Sequence, residues 1–194
     1  MSQTVARAVS ILGHPMLVLP LAVMAVAAMR GEASMVPSMA IGFGLFAAVV
    51  MAYSWLQVKR GRWGHVDASQ RKERSTLNRF LLVALLLCTL LAVVRSWPHE
   101  LVFGLGLSAA LVAFALLTAR WCKLSLHLAF VVFAALLLCS ISWWAGAAAL
   151  AFAATVAWSR LRLQRHVRRD LLAGAAAGAV AGTLWLLASP TGMG

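Results

Sequence analysis

Carboxylates are scarce in this chain: Asp and Glu number five among 194 residues, against 17 Lys and Arg. So few acids make a poor site for magnesium or calcium, which take most of their protein ligands from carboxylates, and no metal or other cofactor is expected. Charged residues of both signs reach only 11%, whereas 63% of the chain is hydrophobic and the mean hydropathy is +0.90. A soluble domain carries about 25% charge, so this balance excludes one and indicates an integral membrane protein. Cysteine is limited to Cys88, Cys122 and Cys139, an odd number without metal-ligand spacing. Neither a disulfide framework nor a zinc site follows, and the three read as small core residues. The chain also lacks an internal repeat, a linker and an Asn-x-Ser/Thr acceptor. It reads as one domain over residues 1–194.

What is present is a series of apolar runs separated by short polar turns. They fall at Val9–Met29, Val36–Gln57, Phe80–Val94, Leu101–Ala119, Leu124–Ser140, Trp143–Trp158 and Leu171–Ala188. The first suits a full span better than a signal peptide, because no small-residue cleavage site precedes more polar sequence. The expected fold is all-α, a polytopic transmembrane bundle of six to seven spans. His14-Pro15 near the start reads as an interfacial or packing feature. Gly174, Gly178 and Gly182 recur every fourth residue in the last run, the spacing that lets helices approach closely. Trp63, Trp121, Trp143, Trp144 and Trp158 lie near span ends, as an aromatic belt requires.

Seven spans place the loops after the second, fourth and sixth on one face with the N-terminus. That face carries 15 of the 17 Lys and Arg, and Arg30 and Arg95 fall on the other. Net charge of +12 can signal nucleic acid. Here the basic residues sit in short loops beside apolar runs, so lipid headgroups or phosphorylated substrates are the expected partners, and nucleic acid is not.

The densest loop is Ser159–Asp170, reading S-R-L-R-L-Q-R-H-V-R-R-D, with five arginines and a histidine. It also holds the only carboxylate of the last 94 residues, Asp170. Asp170 follows His166 by four residues, which on a helix stacks both side chains on one face. A carboxylate there fixes the tautomer of the ring and leaves the other nitrogen free to attack. Loop parity brings Arg74, Ser125 and His127 to the same face. Phosphoryl transfer needs a nucleophile, donors for the equatorial oxygens and an acid for the leaving oxygen. His166 can attack phosphorus, Arg74, Arg160 and Ser125 can hold its oxygens, and His127 can protonate the leaving group. No metal is needed.

These residues carry a resemblance. The chain resembles the type 2 phosphatidic acid phosphatase superfamily, integral-membrane lipid phosphate phosphatases related to acid phosphatases and vanadium haloperoxidases. The family's third motif, S-R-x5-H-x3-D, is intact as Ser159, Arg160, His166 and Asp170. Its second, P-S-x-H, reads Leu124-Ser125-Leu126-His127, with leucine for proline. Its first, K-x6-R-P, retains only Arg74, since Asp67 stands at the lysine position and Ser75 at the proline. The resemblance runs from about Gly61 to the end of the last span.

The resemblance implies His166 as nucleophile, Asp170 as its orienting partner and His127 as general acid. It implies Arg74, Arg160, Ser125 and Ser159 at the phosphate, with Lys123 or Lys72 as substitute for the missing lysine. Asp67 is expected to pair with Arg71 or Arg74 or to point away. The implied activity is metal-independent hydrolysis of a lipid phosphate or diphosphate, of phosphatidic acid, phosphatidylglycerophosphate or polyprenyl diphosphate type, through a phosphohistidine. A lipid phosphotransferase of the same fold, or a non-catalytic membrane protein with a decayed site, stays open beside it. Charge bias places the basic face in the cytoplasm, although bacterial members of the family work mostly on the periplasmic face. Residue usage, rich in Ala and Leu, suggests a multi-pass protein of a bacterial inner membrane. Oligomeric state is not encoded in any of these features.

Overall fold

The computed structural model describes residues 3–66, 68 and 70–189. The fold is all-helical, 83% helix, with no strand among the described residues. The helices are α1 (Gln3–Leu12), α2 (Pro15–Met29), α3 (Val36–Lys59), α4 (Arg71–Val94), α5 (His99–Leu117), α6 (Leu126–Cys139), α7 (Trp143–Arg162) and α8 (Arg168–Ala188).

Four helical stretches are long and apolar enough to cross a membrane: Ala33–Lys59, Arg71–Val94, His99–Arg120 and Arg168–Ala188. The α1–α2 pair makes a fifth if taken as one span, bent by 47°. The expected run Val9–Met29 is therefore two helices. The break follows from Pro15, which lacks an N–H and forces His14 into an extended conformation (φ −68°, ψ 134°). His14 caps the new start, its Nδ1 accepting the Met16 N–H at 3.2 Å.

Two runs fall short of the expected six to seven spans by length and composition. The α6 helix has 14 residues, about 21 Å against a hydrocarbon core of about 30 Å. The α7 helix is rich in Ala and ends in Ser159, Arg160 and Arg162. Polar loops are also shorter than expected, because helix caps recruit their ends. Glu73 accepts N–H bonds from Gln70 (3.0 Å) and Gly64 (2.8 Å), so α4 starts at Arg71 inside the basic segment.

The buried centre is α6. It packs against α2, α7 and α8, and Ala129, Val131, Phe133, Ala134 and Ala135 are all fully enclosed. Lipid gives no hydrophobic drive between apolar helices, so close packing must supply the attraction. Gly174, Gly178 and Gly182 provide it: their α8 backbone lies directly on the Ser125 carbonyl, the Ala129 carbonyl and the Leu136 side chain. The four-residue glycine spacing is thus a packing seam, as its pattern implied. By contrast α3 and α4 turn Leu45, Val49, Leu86, Leu87 and Leu90 outward.

The two ends of the bundle differ. At one, Arg30 pairs with Glu100 at 3.8 Å and lies over Trp185, whose indole N–H bonds the Glu100 carbonyl at 3.2 Å. At the other, the starts of α4, α6 and α8 meet the end of α7, which holds the candidate site.

The seam is testable by overpacking. Gly178→Leu pushes a side chain into the Ala129 carbonyl, and overpacking of a tight core costs about 1–3 kcal/mol. In a thermal melt of the detergent-solubilised protein, its midpoint should fall by about 2–12 °C. Gly44→Leu, where a new Cβ meets nothing within 4 Å, should lose none.

Candidate active site

The loop from α7 to α8 is set by the way α7 stops. Gln164 adopts a left-handed φ of +53°, donates its N–H to the Leu161 carbonyl (2.9 Å), and Arg165 donates to the Arg160 carbonyl (3.0 Å). This is a Schellman closure with glutamine where glycine is usual. A side chain there costs about 1–2 kcal/mol, a strain held by the surrounding contacts. The turn leaves His166 in the loop, one residue before the Val167 cap of α8. The expectation that His166 and Asp170 share one helical face is therefore corrected, yet the two still meet.

They meet because Asp170 occupies the third position of α8, where a carboxylate can reach back over the helix start. Its Oδ2 accepts the Val167 N–H at 3.3 Å and faces His166 Nδ1 at 3.5 Å. Its Oδ1 accepts the Lys123 N–H at 3.1 Å and the Cys122 thiol at 3.4 Å. Burial, reinforced by the bond to Asp170, pushes the Cys122 thiol up and keeps it a donor. Cys122 was expected to be core filler and instead supports the carboxylate. The Asp170 carbonyl in turn accepts the Ser125 N–H at 3.1 Å, tying the starts of α6 and α8 together.

The tautomer of His166 follows from its partners. Nδ1 lies 3.0 Å from the Lys123 carbonyl, which can only accept, and close to the Asp170 carboxylate. Nδ1 therefore carries the proton, and Nε2 presents its lone pair. The side chain is 5% exposed. Burial pushes its pKa down to about 4, with Arg160 acting in the same direction, Asp170 opposing and Arg74 adding a smaller downward push. At neutral pH the ring is uncharged and its Nε2 is available.

Around it the structure gathers most of the expected residues. Arg160 and Arg74 stand close enough for their charges to act on His166. Arg160 Nη1 also donates to Ser10 Oγ of α1 at 2.8 Å. Arg74, one turn into α4, has Asp170 and Arg165 as charged neighbours, and its Nε is buried without a hydrogen-bond partner among the described residues. His127, in the first turn of α6, neighbours Arg160, His14, His166 and Arg165.

Lys123, Ser125 and Ser159 engage their side chains in contacts within the protein. Lys123 sends its ammonium to the Arg165 carbonyl and serves His166 and Asp170 through its backbone. Ser125 is fully buried, its hydroxyl accepting the Leu128 N–H at 3.5 Å as the cap of α6. Ser159, equally buried, donates to the Val156 carbonyl at 2.9 Å. Lys72 lines a separate cavity with Tyr53, Trp63 and Glu73, away from His166. Asp67 lies outside the described residues.

An open cavity of about 280 Å³ lies over His166 and Asp170, bordered by Lys123, Gln164, Arg165 and Val167. That volume is large enough for a phosphoryl group. Among the described residues no cluster of His, Cys, Asp and Glu is arranged to hold a metal ion. Arg165 is one of the five loop arginines expected around His166, whereas sequence reasoning missed Ser10 and gave His14 only an interfacial or packing role. His14 packs edge-on against the His127 ring, centroids 5.1 Å apart at 85°. Only the helix-breaking His-Pro pair could have marked it, and nothing in the spacing tied it to His127. Comparison of the chain with protein-family models, curated proteins and solved structures gave no match.

The low His166 value has a sign that can be checked. A histidine disfavoured in its charged form stabilises the fold fully above the unfolded value of about 6.5, and that contribution is lost as pH falls through about 4. NMR of histidine-labelled protein should show the His166 ring uncharged down to about pH 5, and His166→Gln should flatten the loss of thermal stability between pH 6.5 and 4. A ring titrating near 6.5 would contradict the burial argument.

Proposed function

We propose that this chain is a membrane-embedded, metal-independent lipid phosphate phosphatase of the type 2 phosphatidic acid phosphatase kind, working through a phosphohistidine. The observation that carries this reading is the His166 ring, with Nδ1 engaged by the Lys123 carbonyl and the Asp170 carboxylate and Nε2 left as a nucleophile among arginines.

In the proposed reaction the Nε2 lone pair attacks phosphorus while the phosphorus–oxygen bond to the lipid breaks. Arg74 and Arg160 hold the equatorial oxygens, and the developing charge falls among their guanidinium groups. The departing oxygen takes a proton from His127, which enters the step as an imidazolium, its charge supported by the bound phosphate dianion. Water then attacks the phosphohistidine, His127 takes a proton from that water, and the phosphorus–nitrogen electrons return to Nε2 as phosphate leaves. Asp170 keeps the ring in one tautomer throughout.

The finer architecture belongs to the same proposal. The α1–α2 pair and α3 to α8 act as seven membrane-crossing units, with α6 shielded from lipid by its neighbours. The basic end then gathers at one surface, where a substrate can leave its tail in the bilayer. Charge bias assigns that surface to the cytoplasm of a bacterial inner membrane.

The test is phosphate release by detergent-purified protein, with chelator present, from phosphatidic acid, phosphatidylglycerophosphate and undecaprenyl diphosphate. Release should survive chelator and fall to background in His166→Ala. Asp170→Asn should lose on the order of 10⁴-fold in kcat, as when the orienting acid of a catalytic histidine is neutralised. Asn also sets an amide donor against existing donors, so a stability loss of about 1–3 kcal/mol should accompany it. No release by folded wild type from any of the three lipids would remove the reading.

A further inference from the structure

His127 differs from His166 in how it is held. Two acceptors fix the His166 ring, whereas no hydrogen bond among the described residues reaches the ring of His127. Its orientation rests on packing, and the aromatic neighbour against it is His14, edge-on at 5.1 Å.

His14 is itself rigidly placed. Pro15 fixes the backbone after it, and its Nδ1 accepts the Met16 N–H at 3.2 Å, which locks the ring and leaves the proton on Nε2. On the other side Gly13 is pressed against Val156 of α7, where any side chain would overlap the valine. One turn earlier, Ser10 Oγ accepts from Arg160 Nη1 at 2.8 Å. The corner between α1 and α2 is thus fastened to α7 on the N-terminal side of His14 and to the start of α2 on the other. An aromatic ring on so fixed a mount can set the direction of its neighbour.

We propose that His14 is a positioning residue for His127, holding the ring of the proton donor toward Arg160 and His166 at the site. This rests on the phosphatase reading given above. His14 acts on the reaction only through His127. Misplacing a reacting group by about 1 Å can cost about a hundredfold, and a general acid contributes about 10²–10⁴-fold. The loss on removing His14 is bounded by the loss on removing His127.

The cap role and the positioning role can be separated by one substitution. Asparagine is a good helix cap and can still accept the Met16 N–H, but it lacks a ring to meet His127. With dioleoyl phosphatidic acid in detergent micelles, His14→Asn should lower kcat about ten- to a hundredfold with KM changed less than threefold. In a His127→Ala background the same change should have almost no further effect, since both act on one step. Wild-type kcat in His14→Asn, or losses that multiply in the double variant, would overturn the proposal. So would a rise in KM alone, which would mean direct contact with substrate.

A second readout does not depend on turnover. The chain has five histidines, so each ring can be followed by NMR of histidine-labelled protein. His14→Asn should shift and broaden the His127 ring signals while leaving those of His99, at the far end, unchanged. Unaltered His127 signals would end the proposal even if the phosphatase reading stood. Inactive wild type with altered His127 signals would instead keep the positioning role and remove the reading of the reaction.

Discussion

The Asp170 carboxylate is where three parts of the chain are joined, and the end of the bundle that carries the candidate site is arranged around it. Its two oxygens receive Val167, His166, Lys123 and Cys122. These four groups come from two segments, His166 and Val167 from the lead into α8 and Cys122 and Lys123 from the link before α6. A buried carboxylate without such donors is costly, and one surrounded by them fixes its neighbours. The same group therefore caps the start of α8, anchors the link before α6 and holds the ring proposed to attack phosphorus.

That junction can exist only because α6 and α8 come close. A side chain at Gly174 would collide with the Ser125 carbonyl, and this proximity is what lets the Ser125 N–H reach the Asp170 carbonyl at 3.1 Å. Several of the basic residues at this end have a role in the same assembly. Arg71 donates to the Ala119 carbonyl at 2.8 Å and Arg169 to the Trp121 carbonyl, so cations satisfy the loose carbonyls where α5 runs into α6. Positive charge here does more than favour one side of a membrane.

How much of this is legible in the sequence depends on the range of the interaction. Helical content and the glycine seam follow from local periodicity, and the structure agrees with them, while the apolar runs become helices with one broken at Pro15 and one extended back to Arg71. The S-R-x5-H-x3-D spacing identifies His166 and Asp170 as partners, although their contact comes through a helix cap and a left-handed Gln164 instead of a shared helical face. Membrane-crossing length is less legible, because α6 is apolar for a different reason: it is wrapped by protein. His14 and Ser10 are out of reach of spacing arguments. Their relation to His127 and Arg160 is created by the fold of α1 and α2 onto α6 and α7, which no local pattern encodes.

The shortness of α6 has a consequence for biosynthesis. A 14-residue helix cannot hold itself across a bilayer as it leaves the ribosome, and two of its three main neighbours, α7 and α8, are synthesised after it. Its surface is left incomplete until α8 arrives and lays its glycines along it. Asp170, which gathers the donors at the candidate site, arrives on that same helix. The covering of α6 and the assembly of the candidate site are thereby one event, and a nascent chain that has not yet delivered α8 carries His127 and Arg160 without the carboxylate that joins them to it.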